Sequence, residues 1–154
     1  MNTLKVEKTV DIDAPVDEVW AAIKDFDSLH IWHPAFASDE IIKGDNNKPH
    51  AVRKLTVKDG PSFTEELLEF DPANHTYSYR IIESPLPVRD YVSRITVSPS
   101  AKGGGSRVLW SGTFKRKSTS DTPPENENDA AATNLITGVY ESGLANLRKI
   151  VPGS

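Results

Sequence analysis

The 154-residue sequence contains no cysteine and has no excess of basic side chains. Without cysteine there can be no disulfide, no thiol catalysis and no zinc site with cysteine ligands. The 18 Lys and Arg residues are outnumbered by 22 Asp and Glu residues, so the formal net charge is −4. Because nucleic-acid binders need a basic face that displaces counterions, the composition predicts no nucleic-acid partner.

Long hydrophobic runs are also absent from the sequence. No run approaches the roughly 20 apolar residues of a membrane-spanning helix. The first residues, MNTLKVEKTVDIDAP, lack the apolar core of a signal peptide. We therefore expect a cytoplasmic protein that does not insert into a membrane.

Two familiar catalytic motifs are missing as well. There is no G-x-S-x-G motif, and the glycine-rich segment 103–105 is not followed by the lysine of a phosphate-binding loop. These absences argue against nucleophilic catalysis and against a nucleotide, and we expect no cofactor.

The patterns that are present predict one α+β domain spanning 1–154. Residues 4–12 predict a strand, and apolar residues at helical spacing predict a helix from Pro15 to Phe26, with Pro15 in its first turn. A second short helical turn is expected to end at Pro34. Residues 36–117 predict six short strands, and the turns between them leave no room for crossover helices, so the sheet should be antiparallel.

The C-terminal third contains a polar segment followed by a long helix. Residues 118–128 include two prolines and several charges, which predict a mobile loop. The helix is expected at about 128–150. Its predicted apolar stripe consists of Ile136, Val139, Tyr140, Leu144, Leu147, Ile150 and Val151.

Alternation along the strands predicts which side chains share the inner face of the sheet. When the 58–61 turn is centred on Gly60, and each later turn is centred on its own middle residue, the sheet has one aromatic face and one polar face. The predicted inner face comprises Arg53, Leu55, Glu65, Leu67, Tyr77, Tyr79, Ile81, Tyr91, Ser93, Ile95, Val108, Trp110 and Phe114. The polar outer face should pair Glu66 with Arg80. A concave aromatic face suits a small-molecule site.

The motifs DIDAPVDEVWAAIKDF, WHP, VRKLTVKDG, TEELLEFD, YSYRIIESPLPVRDY and VLWSGTF follow one another along residues 3–150. Together they resemble the SRPBCC superfamily, and within it the polyketide cyclase/dehydrase-like group. The birch-pollen-allergen and START lipid-transfer domains are more distant relatives. The resemblance implies a helix-grip fold, in which a curved antiparallel seven-stranded sheet wraps a long C-terminal helix around a hydrophobic cavity, with two short helices after the first strand. It implies function only weakly, because one fold hosts many activities.

Arg53 and Glu65 are the unusual members of the inner face, where we expect them to be diagonal neighbours. Burying charge is costly unless the charges are paired, so one interpretation is a structural ion pair that closes one end of the barrel. The other is a functional pair, in which Arg53 binds a ligand carbonyl or carboxylate and Glu65 orients it. In an enzyme, Arg53 would stabilise an enolate or oxyanion while Glu65 or Tyr79 moves the proton.

Aromatic residues supply the remaining candidates for the ligand site. Tyr79 and Tyr91 fall in mid-strand and are predicted to offer hydroxyls to the cavity, whereas Trp32 and Trp110 are predicted to be walls. Tyr140 and Gly143 lie on the long helix, where the glycine would either leave room for a ligand or allow close packing on the sheet. The full predicted ligand-binding set is Trp32, Arg53, Glu65, Tyr79, Tyr91, Trp110, Tyr140 and Gly143.

Histidine spacing gives little support for a metal site. His30 and His33 are three residues apart, but no third ligand is evident nearby, so we predict no metal. His33 is interpreted as a hydrogen-bonded structural residue, with proton transfer as the alternative.

Two functions remain open at this point, and a third is weaker. The protein either binds a small hydrophobic or aromatic molecule as a carrier or sensor, or is a cofactor-independent cyclase or dehydratase that promotes aldol cyclisation of a carbonyl-rich substrate. The weaker alternative is a partner surface on the outer face of the sheet, formed by Leu68, Ile82, Val92 and Leu109; scattered exposed apolar residues are normal. We expect a monomer or a weak homodimer. The turn at Trp32–Pro34, the 118–128 loop and the C-terminal helix should gate the cavity.

Overall fold

A single antiparallel sheet of seven strands forms most of the computed structural model, which describes residues 2–101 and 103–151. Its strand order is β1-β7-β6-β5-β4-β3-β2. The strands are β1 (Leu4–Ile12), β2 (Phe36–Lys43), β3 (Val52–Val57), β4 (Ser62–Asp71), β5 (Thr76–Glu83), β6 (Val88–Pro99) and β7 (Ser106–Arg116). Strands β2 to β7 are the six predicted strands, and each of β3 to β7 pairs antiparallel with the strand before it.

Three α-helices accompany the sheet in the described residues: α1 (Val16–Ile23), α2 (Leu29–Trp32) and α3 (Asp129–Ile150). Pro15 precedes α1 instead of lying in its first turn, and no side chain of the described residues caps that helix; Asp17 and Glu18 complement its dipole. Asn128 begins α3 by accepting a 2.8 Å hydrogen bond from the Ala131 N–H. The predicted α+β helix-grip fold, with two short helices after β1, is confirmed.

Helix α3 packs on β1 and β7 and buries one side against the concave face of the sheet. Ile136, Tyr140, Leu144 and Leu147 are buried as predicted, but Ile150 is 41% exposed at the last helical residue. The core lies between this helix and the aromatic face of the sheet.

The predicted alternation of the strand faces is confirmed by burial. The inner-face tyrosines Tyr77, Tyr79 and Tyr91 are buried, as are Trp110 and Phe114. On the outer face, Arg80 lies opposite Glu66 and contacts its carboxylate at 2.8 Å.

The pairing of Arg53 differs from the prediction. Arg53 lies directly opposite Glu65 and is not its diagonal neighbour, because the β3–β4 turn centres on Asp59, whose φ is +55°, and not on Gly60. Moving a turn centre by one residue shifts the pairing by two residues. The faces therefore stay as predicted while the partners change.

Segment 118–128 contains a single helical turn at Glu125–Glu127 and is tied to β7 by one side chain. Arg116 donates to the carbonyl oxygens of Ser118 (3.2 Å) and Ser120 (2.7 Å) and to Asp129 Oδ1 (3.2 Å). That the loop is mobile and gates the cavity stays a prediction.

Candidate functional site

A partly open cavity of about 250 Å³ lies between the concave face of the sheet and the first half of α3. Within the described part of the chain, Glu65 is the only Asp, Glu, Lys, Arg or His in its wall. The wall is formed by Leu29, Ala35, Phe36, Leu55, Val57, Pro61, Phe63, Glu65, Tyr79, Ile81, Leu86, Tyr91, Trp110, Leu135, Ile136 and Val139. A concave, mostly apolar site with a few polar groups is the usual form of a small-molecule site.

The structure divides the predicted ligand-binding residues into two groups. Glu65, Tyr79, Tyr91 and Trp110 line the cavity. Trp32, Arg53, Tyr140 and Gly143 are buried and are not among its lining residues.

Arg53 is fully buried, and neighbouring groups surround its guanidinium. Its Nε and one terminal nitrogen donate to Glu65 Oε1 at 2.9 and 2.6 Å, and the other terminal nitrogen donates to the Phe26 carbonyl oxygen at 2.8 Å. That second nitrogen is 3.7 Å from Asp39 Oδ2. The rings of Phe26 and Tyr79 lie 4.0 and 4.8 Å from the guanidinium carbon. Arg53 therefore has no face open to a ligand.

Burial and charge act against each other in this cluster. Burial opposes the charge of Arg53, but Glu65 and Asp39 outweigh that effect and raise the pKa of Arg53. Burial raises the pKa of Glu65, and the attraction of Arg53 offsets only part of the increase. One cation thus serves two buried carboxyl groups, of which only Glu65 reaches the cavity.

Asp39 was not among the predicted site residues, yet it is buried beside Arg53. Its Oδ2 accepts a 3.1 Å hydrogen bond from the Leu29 N–H at the start of α2, and its Oδ1 has no partner among the described residues. Burial raises the pKa of Asp39 to about 6, although Arg53 and the Leu29 N–H act in the opposite direction.

We expect this carboxyl group to make stability depend on pH. Because the folded pKa of Asp39 lies above its usual value of 3.8, the folded state holds the proton more tightly. The free energy of unfolding should therefore fall as pH rises from about 4 to 6, by roughly 2–3 kcal/mol. Urea unfolding between pH 3.5 and 7.5 measures this slope. Asp39→Asn, which keeps the acceptor for Leu29, should make the slope shallower.

Asp71→Asn is the matched control for that experiment. The Asn74 side chain lowers the pKa of Asp71, so this substitution should leave the decline between pH 4 and 6 in place. A decline that persists unchanged in Asp39→Asn would assign it to another group.

A chain of hydroxyl groups runs from the cavity wall into the core. The Ser93 hydroxyl donates to the Ser111 carbonyl oxygen at 3.0 Å and lies 2.8 Å from the Tyr140 hydroxyl. Tyr140 and Tyr91 are joined by a 2.6 Å hydrogen bond. Burial raises the pKa of Tyr91 and of Tyr140 above the usual range, so both are neutral phenols.

Trp110 connects this chain to the other cavity tyrosine. Its Nε1–H donates to Tyr79 Oη at 3.0 Å and to Ser93 Oγ at 3.1 Å, and its ring stacks on Tyr140 with the centroids 4.4 Å apart. Sequence reasoning placed Ser93 on the inner face but assigned it no role. It also passed over Gly112, although a side chain at Gly112 would collide with the Tyr140 hydroxyl.

His33 is a structural histidine in this geometry. The Ala35 N–H donates to Nδ1 at 3.1 Å, so the ring proton is on Nε2 and is donated to the Val139 carbonyl oxygen at 2.7 Å. Burial lowers the pKa of His33, which keeps the ring neutral. In residues 2–101 and 103–151, no three His, Asp or Glu side chains converge into a group that could hold a metal ion.

No helix in the described part of the chain combines the length and the apolar character needed to span a membrane. In the cavity wall, the polar groups that can act on a ligand are one carboxyl group, two phenols and an indole.

Comparison with known proteins gives consistent matches over most of the chain. The family model described as "Polyketide cyclase / dehydrase and lipid transport" matches residues 3–152. MLP-like protein 423 of Arabidopsis thaliana is 28% identical over 136 residues, which cover 82% of this chain and 85% of the relative. Abscisic acid receptor PYL7 of the same plant is 30% identical over 121 residues, covering 77% of this chain but only 54% of the receptor. The crystal structure of an uncharacterized protein from Bacillus thuringiensis is 32% identical, with a TM-score of 0.82, and the match covers 95% of this chain and 97% of that one.

Proposed function

We propose that this chain, which belongs to the polyketide cyclase/dehydrase and lipid transport family of the SRPBCC superfamily, binds a small hydrophobic or aromatic molecule. The molecule would lie in the cavity whose wall contains Glu65. The observation that carries this proposal is the wall of the cavity, where a single carboxyl group interrupts an otherwise apolar and aromatic surface. Transfer of apolar ligand surface out of water into such a site is favourable by about 25 cal/mol per Å².

We further propose that the protein acts in the cytoplasm as a carrier or sensor, and that it is a monomer or a weak homodimer. The relatives support the small-molecule part, since one of them is named as a receptor for abscisic acid.

Cyclase or dehydratase chemistry is the second candidate function. Glu65 favours it, because burial raises the pKa of this cavity-lining carboxyl group and so prepares it to exchange protons. Tyr79 lines the same cavity and is the hydroxyl candidate to act with it. Arg53 is enclosed, so an oxyanion would have to be stabilised by these two groups without it.

Native mass spectrometry of the protein purified from its own host tests the binding function. We expect a stoichiometric apolar molecule to leave the protein on denaturation. Ala35→Trp should abolish retention, because Ala35 lines the cavity and a large ring there would fill it. Ala145→Trp, on the exposed side of α3, should retain the molecule.

Both variants must first show wild-type unfolding midpoints in urea. Retention of the molecule by a folded Ala35→Trp variant would exclude this cavity as its site. A wild-type protein that is empty, but that turns over a carbonyl-rich substrate in a manner abolished by Glu65→Gln, would favour the cyclase function instead.

A further inference from the structure

The hydrogen atoms of the hydroxyl chain can be assigned from the rule that each hydroxyl has one proton to donate. Ser93 donates its proton to the Ser111 carbonyl oxygen, so it must accept from Tyr140. Tyr140 has then used its proton and must accept from Tyr91. Tyr91 therefore has no proton left for a ligand.

Tyr79 is in the opposite situation. Within the described residues its hydroxyl oxygen makes one hydrogen bond, in which it accepts from the Trp110 Nε1–H. Its own proton has no acceptor there. Burial raises the pKa of Tyr79 well above the usual range, so the proton stays on the oxygen. A buried donor without a partner is costly, and a ligand that supplies an acceptor removes that cost.

The charges around the cavity wall also favour a neutral ligand. Both Arg53 bonds to Glu65 fall on Oε1, and Arg53 itself does not reach the cavity. Among the described residues no Lys, Arg or His lines the wall, so no side chain there compensates an anion. Whether Glu65 is protonated or ionised, it offers no positive charge. An anionic ligand would lose its hydration without gaining a counter-charge.

We propose that the ligand is an uncharged, compact apolar molecule whose carbonyl, ether or hydroxyl oxygen accepts a hydrogen bond from Tyr79. This inference rests on the proposed binding function. The cavity of about 250 Å³ is smaller than the roughly 300–1,000 Å³ of pockets for drug-sized ligands, which limits the apolar body to one or two rings. The site thus differs in charge preference from one built for a carboxylic acid.

Three probes of similar size separate these requirements: 2-methoxynaphthalene, its hydrocarbon isostere 2-ethylnaphthalene, and the anion 2-naphthoate. Isothermal titration calorimetry at pH 7 measures each dissociation constant. We expect the ether to bind the wild-type protein about 2- to 10-fold more tightly than the hydrocarbon, as one neutral hydrogen bond implies. The anion should bind more weakly than either.

Two matched tyrosine variants identify the donor. Tyr79→Phe should abolish the preference for the ether while leaving 2-ethylnaphthalene binding within about 2-fold. Tyr91→Phe should preserve the preference, because the Tyr91 proton is already donated to Tyr140. The inference is overturned if the preference survives Tyr79→Phe, or if 2-naphthoate binds as tightly as the ether.

The same experiment gives a different result if the proposed binding function, and not only the role of Tyr79, is wrong. If none of the three probes binds, or if Ala35→Trp binds them as the wild type does, the cavity is not the site and the binding function itself falls. Binding of all three probes with no rank order, lost in Ala35→Trp, would keep the binding function and overturn both the role of Tyr79 and the preference for an uncharged ligand.

Discussion

Arg53→Met is expected to lower the free energy of unfolding by about 3–5 kcal/mol, because breaking a buried ion pair leaves uncompensated charge behind. Glu65 and Asp39 both lose their cation, and the Phe26 carbonyl oxygen loses its donor. Burial already raises the pKa of each carboxyl group with Arg53 present. Urea unfolding at pH 7, followed by tryptophan fluorescence, measures the loss.

Arg80→Met is the matched control, since it removes an arginine from an ion pair on the opposite face of the same sheet. The Arg80 side chain is 47% exposed, and exposed pairs contribute at most about 1 kcal/mol. An Arg53→Met loss no larger than that of Arg80→Met would contradict the structural role of the buried cluster.

A second variant distinguishes lost charge balance from lost packing. Adding Glu65→Gln to Arg53→Met removes one of the uncompensated carboxyl groups, and we expect it to recover part of the stability. Lowering the pH to 5 should also reduce the loss in Arg53→Met, because both carboxyl groups can then take up protons. A loss that is the same at both pH values and in the double variant would indicate packing alone.

The inner face of the sheet was predictable because side-chain direction depends only on parity along each strand. Placing the β3–β4 turn on Gly60 instead of Asp59 changed the predicted partner of Arg53 by two residues and left every side chain on its correct face. The sequence therefore identified Glu65, Tyr79, Tyr91 and Trp110 as inner-face residues, and all four line the cavity. It could not show which inner-face residues meet empty space and which meet α3.

The burial of Asp39 could not be predicted from the alternation of side chains along β2. The pairing of β2 with β3 shifts between Phe36 and Ser38, and this irregularity brings Asp39 to the buried side together with Phe36, three residues earlier. An irregularity of this kind adds a residue without any strong signal in the sequence. The second carboxyl group of the Arg53 cluster could therefore not be predicted from the sequence, and neither could the full enclosure of Arg53.

Two glycines of α3 should respond in opposite directions to the same substitution. A Cβ atom at Gly143 would lie 2.5 Å from His33 Cδ2 and 2.9 Å from Trp110 Cζ3, so one of these rings must move. Neither ring is free to move, because His33 is held by Val139 and Ala35, and Trp110 by Tyr79 and Ser93. We expect Gly143→Ala to destabilise the protein by about 3 kcal/mol, as overpacking of a buried contact does.

Gly138→Ala is the control on the same helix. Gly138 is exposed, and a Cβ atom there would meet nothing within 4 Å, so the substitution should stabilise α3 by up to about 1 kcal/mol through helix propensity. Urea unfolding of both variants should therefore separate their midpoints on opposite sides of the wild type. Because Trp110 also lines the cavity, Gly143→Ala should weaken probe binding as well, whereas Gly138→Ala should not. Equal stabilisation by both substitutions would mean that α3 can move away from the sheet, and the space at Gly143 would then be available to a ligand, as one interpretation of the sequence allowed.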